Sequence, residues 1–278
     1  MWDAPAGAVP RHRSVVKTLR SYWQLSRTPR YSILFALPLL ALYEGLAALL
    51  SGGEGVRNGA DVMLKSAFAT VAGAWGPIVF GVTLLAGCLW LVGRDLKRLG
   101  GLRRGIAKLE GRVFAGMLGE SAALALVFGG AVALVTAQLL RPFASVADVG
   151  AGSAATLVAL AAQSPLEELS WPVKLMVSLG AGLYEELLFR VVLVGGLALL
   201  ARHVFAFGPR ASAVIAVLGG AFLFSAFHYV GAYGDAFTVA SFTFRLVAGV
   251  FFSGLFLLRG FGITAWTHAL YDVFLLVV

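Results

Sequence analysis

Two adjacent carboxylates and a guanidinium, Glu185, Glu186 and Arg190, stand mid-way along an apolar run from about Trp171 to Leu200. A run of that length and hydropathy reads as a membrane-spanning helix. An ionisable side chain at mid-span costs roughly 2.5–3.5 kcal/mol, so these groups must face protein, water or one another. At about 100° per residue, Glu186 and Arg190 share a helix face, with the acid in the favourable N-terminal position. Glu185 points elsewhere and has no partner on its own helix. Two later apolar runs add His228, in Phe224-Ser225-Ala226-Phe227-His228, and His268 with Asp272, in His268-Ala269-Leu270-Tyr271-Asp272.

A carboxylate and imidazoles around one water make a hydrolytic site. The desolvated glutamate takes a proton from water as general base. Imidazoles can hold that water, bind a metal or donate to an oxyanion. Asp272, four residues after His268, can fix that ring's tautomer. Ordinary inter-helix hydrogen bonding accounts for single membrane histidines, but less readily for two of them beside an aspartate and an unpaired glutamate.

The elements that must position these groups follow from composition. The 278 residues are 59% hydrophobic and 13% charged, with a mean hydropathy of +0.87. This predicts an all-α, polytopic bundle of transmembrane helices with an intramembrane cavity. The net charge of +8 does not point to nucleic acid. Six of the 22 basic residues precede Tyr31 and seven lie between Arg94 and Arg112, the flanking pattern of the positive-inside rule. These clusters can also meet anionic headgroups. The lone cysteine, Cys88, permits no intrachain disulfide and reads as a packing residue.

Taken in order, residues 1–30 form a basic tail expected to stay cytoplasmic, with Ser14 to Ser26 as an amphipathic interfacial helix. Residues 31–170 supply the N-terminal spans and linkers. Span one is about 31–50, with Glu44 placed near the outer interface. A mixed stretch to Ala72 is expected at the outer surface. Span two is about 73–93, and span three about 113–140, carrying Glu120. Residues 149–162 are short for a crossing and read as interfacial or re-entrant; if they cross, seven spans become eight. Gly150-Ala151-Gly152-Ser153 is too degenerate for a phosphate loop, since no strand precedes it. Glu167-Glu168 is a second acid pair, but Pro172 stands where a base would be, so a solvated helix entrance explains it. Ser170 with Pro172 is a helix start. Residues 171–278 hold all the candidate site residues. His268 falls near the start of its span and His228 near the end of its own, so tilt or offset must bring them level.

Other protease patterns fit poorly. There is no His-Glu-x-x-His. Tyr271-Asp272 and Gly234-Asp235 only faintly resemble the paired aspartates of presenilin-type proteases, and their order is reversed.

Glu185-Glu186-x-x-x-Arg190, then Phe224-x-x-x-His228, then His268-x-x-x-Asp272 resembles the CaaX prenyl endopeptidase and bacteriocin-processing (CPBP, Abi-type) family of intramembrane proteases, over about Trp171 to Val278. The resemblance implies a helical bundle around a cavity. It implies Glu185 as general base, His228 as its partner in holding the water, and His268 with Asp272 as a water- or oxyanion-orienting pair. Glu186 and Arg190 are implied supports. Eukaryotic members carry Asn where this chain has Asp272, and an ionised Asp cannot donate to an oxyanion. Members are described both as metalloproteases and as metal-free glutamate proteases. The residues lean toward no cofactor, with Zn2+ as the alternative; His228, His268, Glu185 and Asp272 would then be its ligands.

The function expected is an intramembrane endopeptidase acting on a membrane-associated peptide or protein in the cell membrane, in contact with lipid. The sequence names no prenyl substrate. The competing readings are a carrier or proton-coupled transporter using the same groups as a relay, and an immunity or scaffold protein with a vestigial site. The lack of an inverted repeat weighs against the first.

Overall fold

A computed structural model describes residues 21–50, 56–103, 109–143, 169–231 and 234–276. The expectations for residues 1–20, for 51–55 at the start of the mixed stretch, for the 149–162 run and for Glu167-Glu168 lie outside the described residues. The fold is an all-α membrane bundle. After a short helical stretch at 21–26 come α1 (Pro29–Leu50), α2 (Gly59–Ala72), α3 (Gly76–Arg98) and α4 (Gly111–Leu140). The site helix follows as α5 (Trp171–Gly180), two π-helical stretches (Ala181–Glu185 and Leu187–Val194) and α6 (Gly195–His203). Then come α7 (Pro209–Phe227), α8 (Val239–Arg259) and α9 (Phe261–Leu276). Five segments among the described residues are long and apolar enough to cross a membrane: α1, the α2–α3 pair, α4, α7 and α8.

The stretch before Ala72, expected at the outer surface, contains a helix. Residues 59–72 form a helix that turns at Gly73 (φ 57°) and packs back along α3, with the Phe68 and Phe80 rings 5.4 Å apart. Apolar residues on both helices explain this, because a 14-residue helix with one buried face is held by its neighbour rather than by water. Span two accordingly starts at Gly76, with Pro77 in its first turn, where a missing N–H costs nothing.

Between helices in lipid, close packing and hydrogen bonds supply the attraction that water supplies elsewhere. At Gly182 a side chain would meet Ala265 O at 2.4 Å and Ala269 Cβ at 2.6 Å, so the site helix lies directly on α9. Gly180 allows the Tyr43 ring of α1 an equally close approach. At one end of the bundle the starts of α1, α4 and α9 meet the ends of α3 and α8. There Gly262 N donates to Ser32 Oγ (2.7 Å), Glu110 N donates to Tyr31 Oη (2.8 Å), and Arg30 pairs with Asp95 (2.9 Å).

Candidate active site

Glu185 and Glu186 are consecutive and buried, 7% and 0% exposed, and they face different helices. Glu186 faces α9. Its Oε1 accepts from His268 Nδ1 (2.7 Å), and its Oε2 lies 3.1 Å from Arg190 Nε. The expected Glu186–Arg190 pair is therefore present. Phe224 and Phe252 wrap the guanidinium, their centroids 4.5 and 5.5 Å from Cζ, a cation–π arrangement strengthened by desolvation. Phe252 also stacks on His268 at 4.3 Å.

The expectation that Asp272 fixes His268 needs correction. Asp272 Oδ2 stands 3.6 Å from Nε2, beyond a hydrogen bond, whereas Glu186 takes the Nδ1 proton at 2.7 Å. The i,i+4 spacing brings the aspartate near the ring edge without reaching it. Glu186 thus serves the arginine and the histidine together, a role a single-helix reading cannot reveal.

His228 caps the C-terminus of α7, and its Nδ1 lies 2.9 Å from Phe224 O. A carbonyl only accepts, so Nδ1 carries the proton and Nε2 is left to accept in the neutral ring. The ring packs edge-on to Phe224 at 4.8 Å, and Phe224 in turn meets His268 at 6.2 Å. One phenylalanine therefore bridges the two imidazoles. His268 sits at mid-helix in α9, so the two rings reach the same phenylalanine from the end of one helix and the middle of another. The His228 ring is partly buried, edge-on to Phe227 as well. The loop after it is latched onto α8. Asp235 N donates to His228 O (2.9 Å), Arg245 Nη1 donates to Tyr229 Oη (3.1 Å), Tyr229 Oη meets Ser241 Oγ (2.6 Å), and Arg245 pairs with Asp235.

Glu185 faces α2. Its Oε1 accepts from Asn58 Nδ2 (2.9 Å), while its Oε2 is buried and meets no donor among the described residues. Asn58 was not among the expected site residues. The sequence holds a signal for part of its role, since Asn before Gly59 is a good helix cap, but nothing local ties it to a residue 127 positions later. Beside it, Glu44 accepts from Tyr184 Oη (2.7 Å), Arg57 Nη2 (2.9 Å) and Lys65 Nζ (3.1 Å). Glu44 keeps 38% side-chain exposure, so it sits at the rim of the site.

Among the described residues, no three His, Cys, Asp or Glu side chains converge to hold a metal ion. His268 Nδ1 is taken by Glu186 and Glu185 Oε1 by Asn58. The suggested zinc ligands do not form a donor set in this arrangement.

Residues 154–274 match the family described as type II CAAX prenyl endopeptidase Rce1-like. This stretch is an Rce1-like domain of the CAAX protease family. It contains Glu185, Glu186, Arg190, His228, His268 and Asp272, and it ends four residues short of the C-terminus. No curated protein and no solved structure matches the chain. The chain is thus an integral membrane protein carrying an Rce1-like protease domain, and Asn58 reaches its site from outside the matched residues.

Proposed function

We propose that the protein hydrolyses a peptide bond in a membrane-associated peptide or protein, with Glu185 as the base that activates water. The observation that carries this reading is the buried Glu185 Oε2, which meets no donor among the described residues, on a carboxylate whose other oxygen is held by Asn58. Oε2 and His228 Nε2 are both acceptors. A water donating one proton to each would present its lone pair to a scissile carbonyl. The proton abstracted by Glu185 then goes to the leaving amine. His268, oriented by Glu186 and backed by Phe252, offers its Nε2 edge toward the developing oxyanion when the ring carries both protons. Asp272 beside that edge and Arg190 behind Glu186 tune the field without touching the reacting atoms.

The orientation proposed has the N-terminus in the cytoplasm of a cell-membrane protein. What supports it is the gathering of Arg27, Arg30, Arg94, Lys97, Arg98 and Arg259 at the end where α1 begins.

The test compares new peptide termini in cells expressing wild type or Glu185→Gln. It also measures hydrolysis of a fluorogenic farnesylated CAAX peptide and its unprenylated twin by the reconstituted chain. Cleavage lost in Glu185→Gln is expected. Turnover unchanged in that variant would sink the reading. Proton-coupled flux lost without any missing termini would favour a carrier instead.

A further inference from the structure

Asn58 is 3% exposed and stands at the N-cap of α2, outside the Rce1-like stretch. Its Oδ1 accepts from Ala60 N (2.9 Å) and Asp61 N (3.4 Å). Backbone N–H groups only donate, so they fix which side-chain atom is oxygen. The amide nitrogen is thereby turned the other way, toward Glu185 Oε1 at 2.9 Å. The backbone of Asn58 is held too. Its N–H reaches Tyr43 Oη (3.3 Å), and that hydroxyl donates to Asp61 Oδ2 (2.8 Å). Asp61 is fully buried and anchored by Arg57 (2.7 Å) and Lys65 (2.6 Å). A side chain at Gly180 would come within 2.5 Å of the Tyr43 ring and 2.8 Å of Asn58 Cβ, so the site helix has made room for this contact.

We infer that Asn58 is a positioning residue that orients Glu185, holding Oε1 so that Oε2 alone is presented to the reactants; this rests on Glu185 being the base. The donor's type matters as much as its place. Glu186 meets an arginine and a histidine, and a cation on Glu185 would likewise neutralise it. An amide fixes the carboxylate's rotamer and leaves its negative charge available to take a proton. The Rce1-like domain is then incomplete without the N-terminal helices, because its base is set by a side chain from α2.

Serine caps a helix about as well as asparagine but has no amide nitrogen, so capping and positioning separate experimentally. In the reconstituted full chain, Asn58→Ala should lower both Tm and kcat. Asn58→Ser should recover Tm while kcat stays at least tenfold down, with KM for the farnesylated CAAX peptide within twofold of wild type. A substrate-free double-mutant cycle of Asn58→Ser with Glu185→Ala should be non-additive in Tm by about 3 °C or more. An additive cycle overturns the proposal, and so does recovery of kcat together with Tm in Asn58→Ser. If Glu185→Gln keeps wild-type turnover, the base assignment alone falls, and the measured coupling still reports whether Asn58 holds Glu185.

Discussion

Two of the acid–base clusters in this bundle are built from the same residue types to different ends. Where the first third of α4 and the end of α8 meet the 21–26 segment, Glu120 faces Arg259. Both of its oxygens are occupied, Oε1 by Arg259 Nε (2.6 Å) and Oε2 by Tyr22 Oη (2.6 Å) and Arg259 Nη2 (2.7 Å). Ser26 accepts from the same guanidinium, and Trp23 lies 3.8 Å beneath it. In the site cluster, Glu185 has one oxygen held and one buried oxygen that meets no donor among the described residues. A carboxylate saturated with donors is a fastener, since its lone pairs are already used. A buried carboxylate with a free oxygen is destabilising unless a ligand or water completes it, and such groups concentrate where chemistry is done.

The largest effect should come from the unsaturated carboxylate. Glu185→Gln removes the base while an amide oxygen can still accept from Asn58. Turnover should fall by about 10³-fold, with Tm within a few degrees of wild type. A parallel fall in stability would erase the distinction between the clusters, and thermal melts of the purified variant decide it.

Glu186→Gln sharpens the comparison from inside the site. It strands Arg190, 1% exposed, without a counter-charge, at about 3–5 kcal/mol. The amide oxygen can still receive His268 Nδ1–H, so turnover per folded molecule should drop less than in Glu185→Gln, by roughly tenfold or more. Glu186 therefore does not divide cleanly into a folding residue, as pairing with Arg190 alone would imply. Glu120→Gln is the matched control. Glu120 retains 23% side-chain exposure, so losing its charge should cost less, about 2 kcal/mol. Turnover per folded molecule should be unchanged. Denaturation in mixed micelles together with peptide hydrolysis separates the three variants.

What the sequence made legible was whatever rests on period and spacing. Apolar runs gave the all-α membrane bundle, and i,i+4 spacing gave the Glu186–Arg190 pair. Three motifs on late helices named residues of which the structure joins Glu186 to Arg190 and His268, and sets His228 and His268 against the same phenylalanine. Spacing within one helix misled at His268, because Asp272 was the only acid visible on α9 while the actual acceptor, Glu186, lies 82 residues earlier. Asn58 was illegible for the same reason, being joined to Glu185 only through tertiary packing. The α2 helix was missed because its Lys65, Asp61 and Ser66 lower its hydropathy. Two of those charges are in fact spent on Glu44 and on each other.

The smallest effect tests the saturated cluster at one hydrogen bond. Tyr22 donates to Glu120 at 2.6 Å from the segment that precedes α1. Burial, and then the adjacent Glu120 carboxylate, pushes its hydroxyl well above the ordinary tyrosine value. The folded state therefore holds this proton more tightly than the unfolded chain does. The resulting stabilisation is fully present below the ordinary tyrosine pKa near 10 and is lost as pH rises beyond it. Tyr22→Phe should cost about 1 kcal/mol at neutral pH, and the gap from wild type should narrow in alkaline buffer. Arg259 keeps its two bonds to Glu120 in the variant, so peptide hydrolysis should not change. Melting curves at pH 7 and above pH 10 check the sign. A gap that widened with pH would mean that the hydroxyl ionises more readily in the fold than outside it, and that this cluster is not the closed, proton-holding fastener its distances describe.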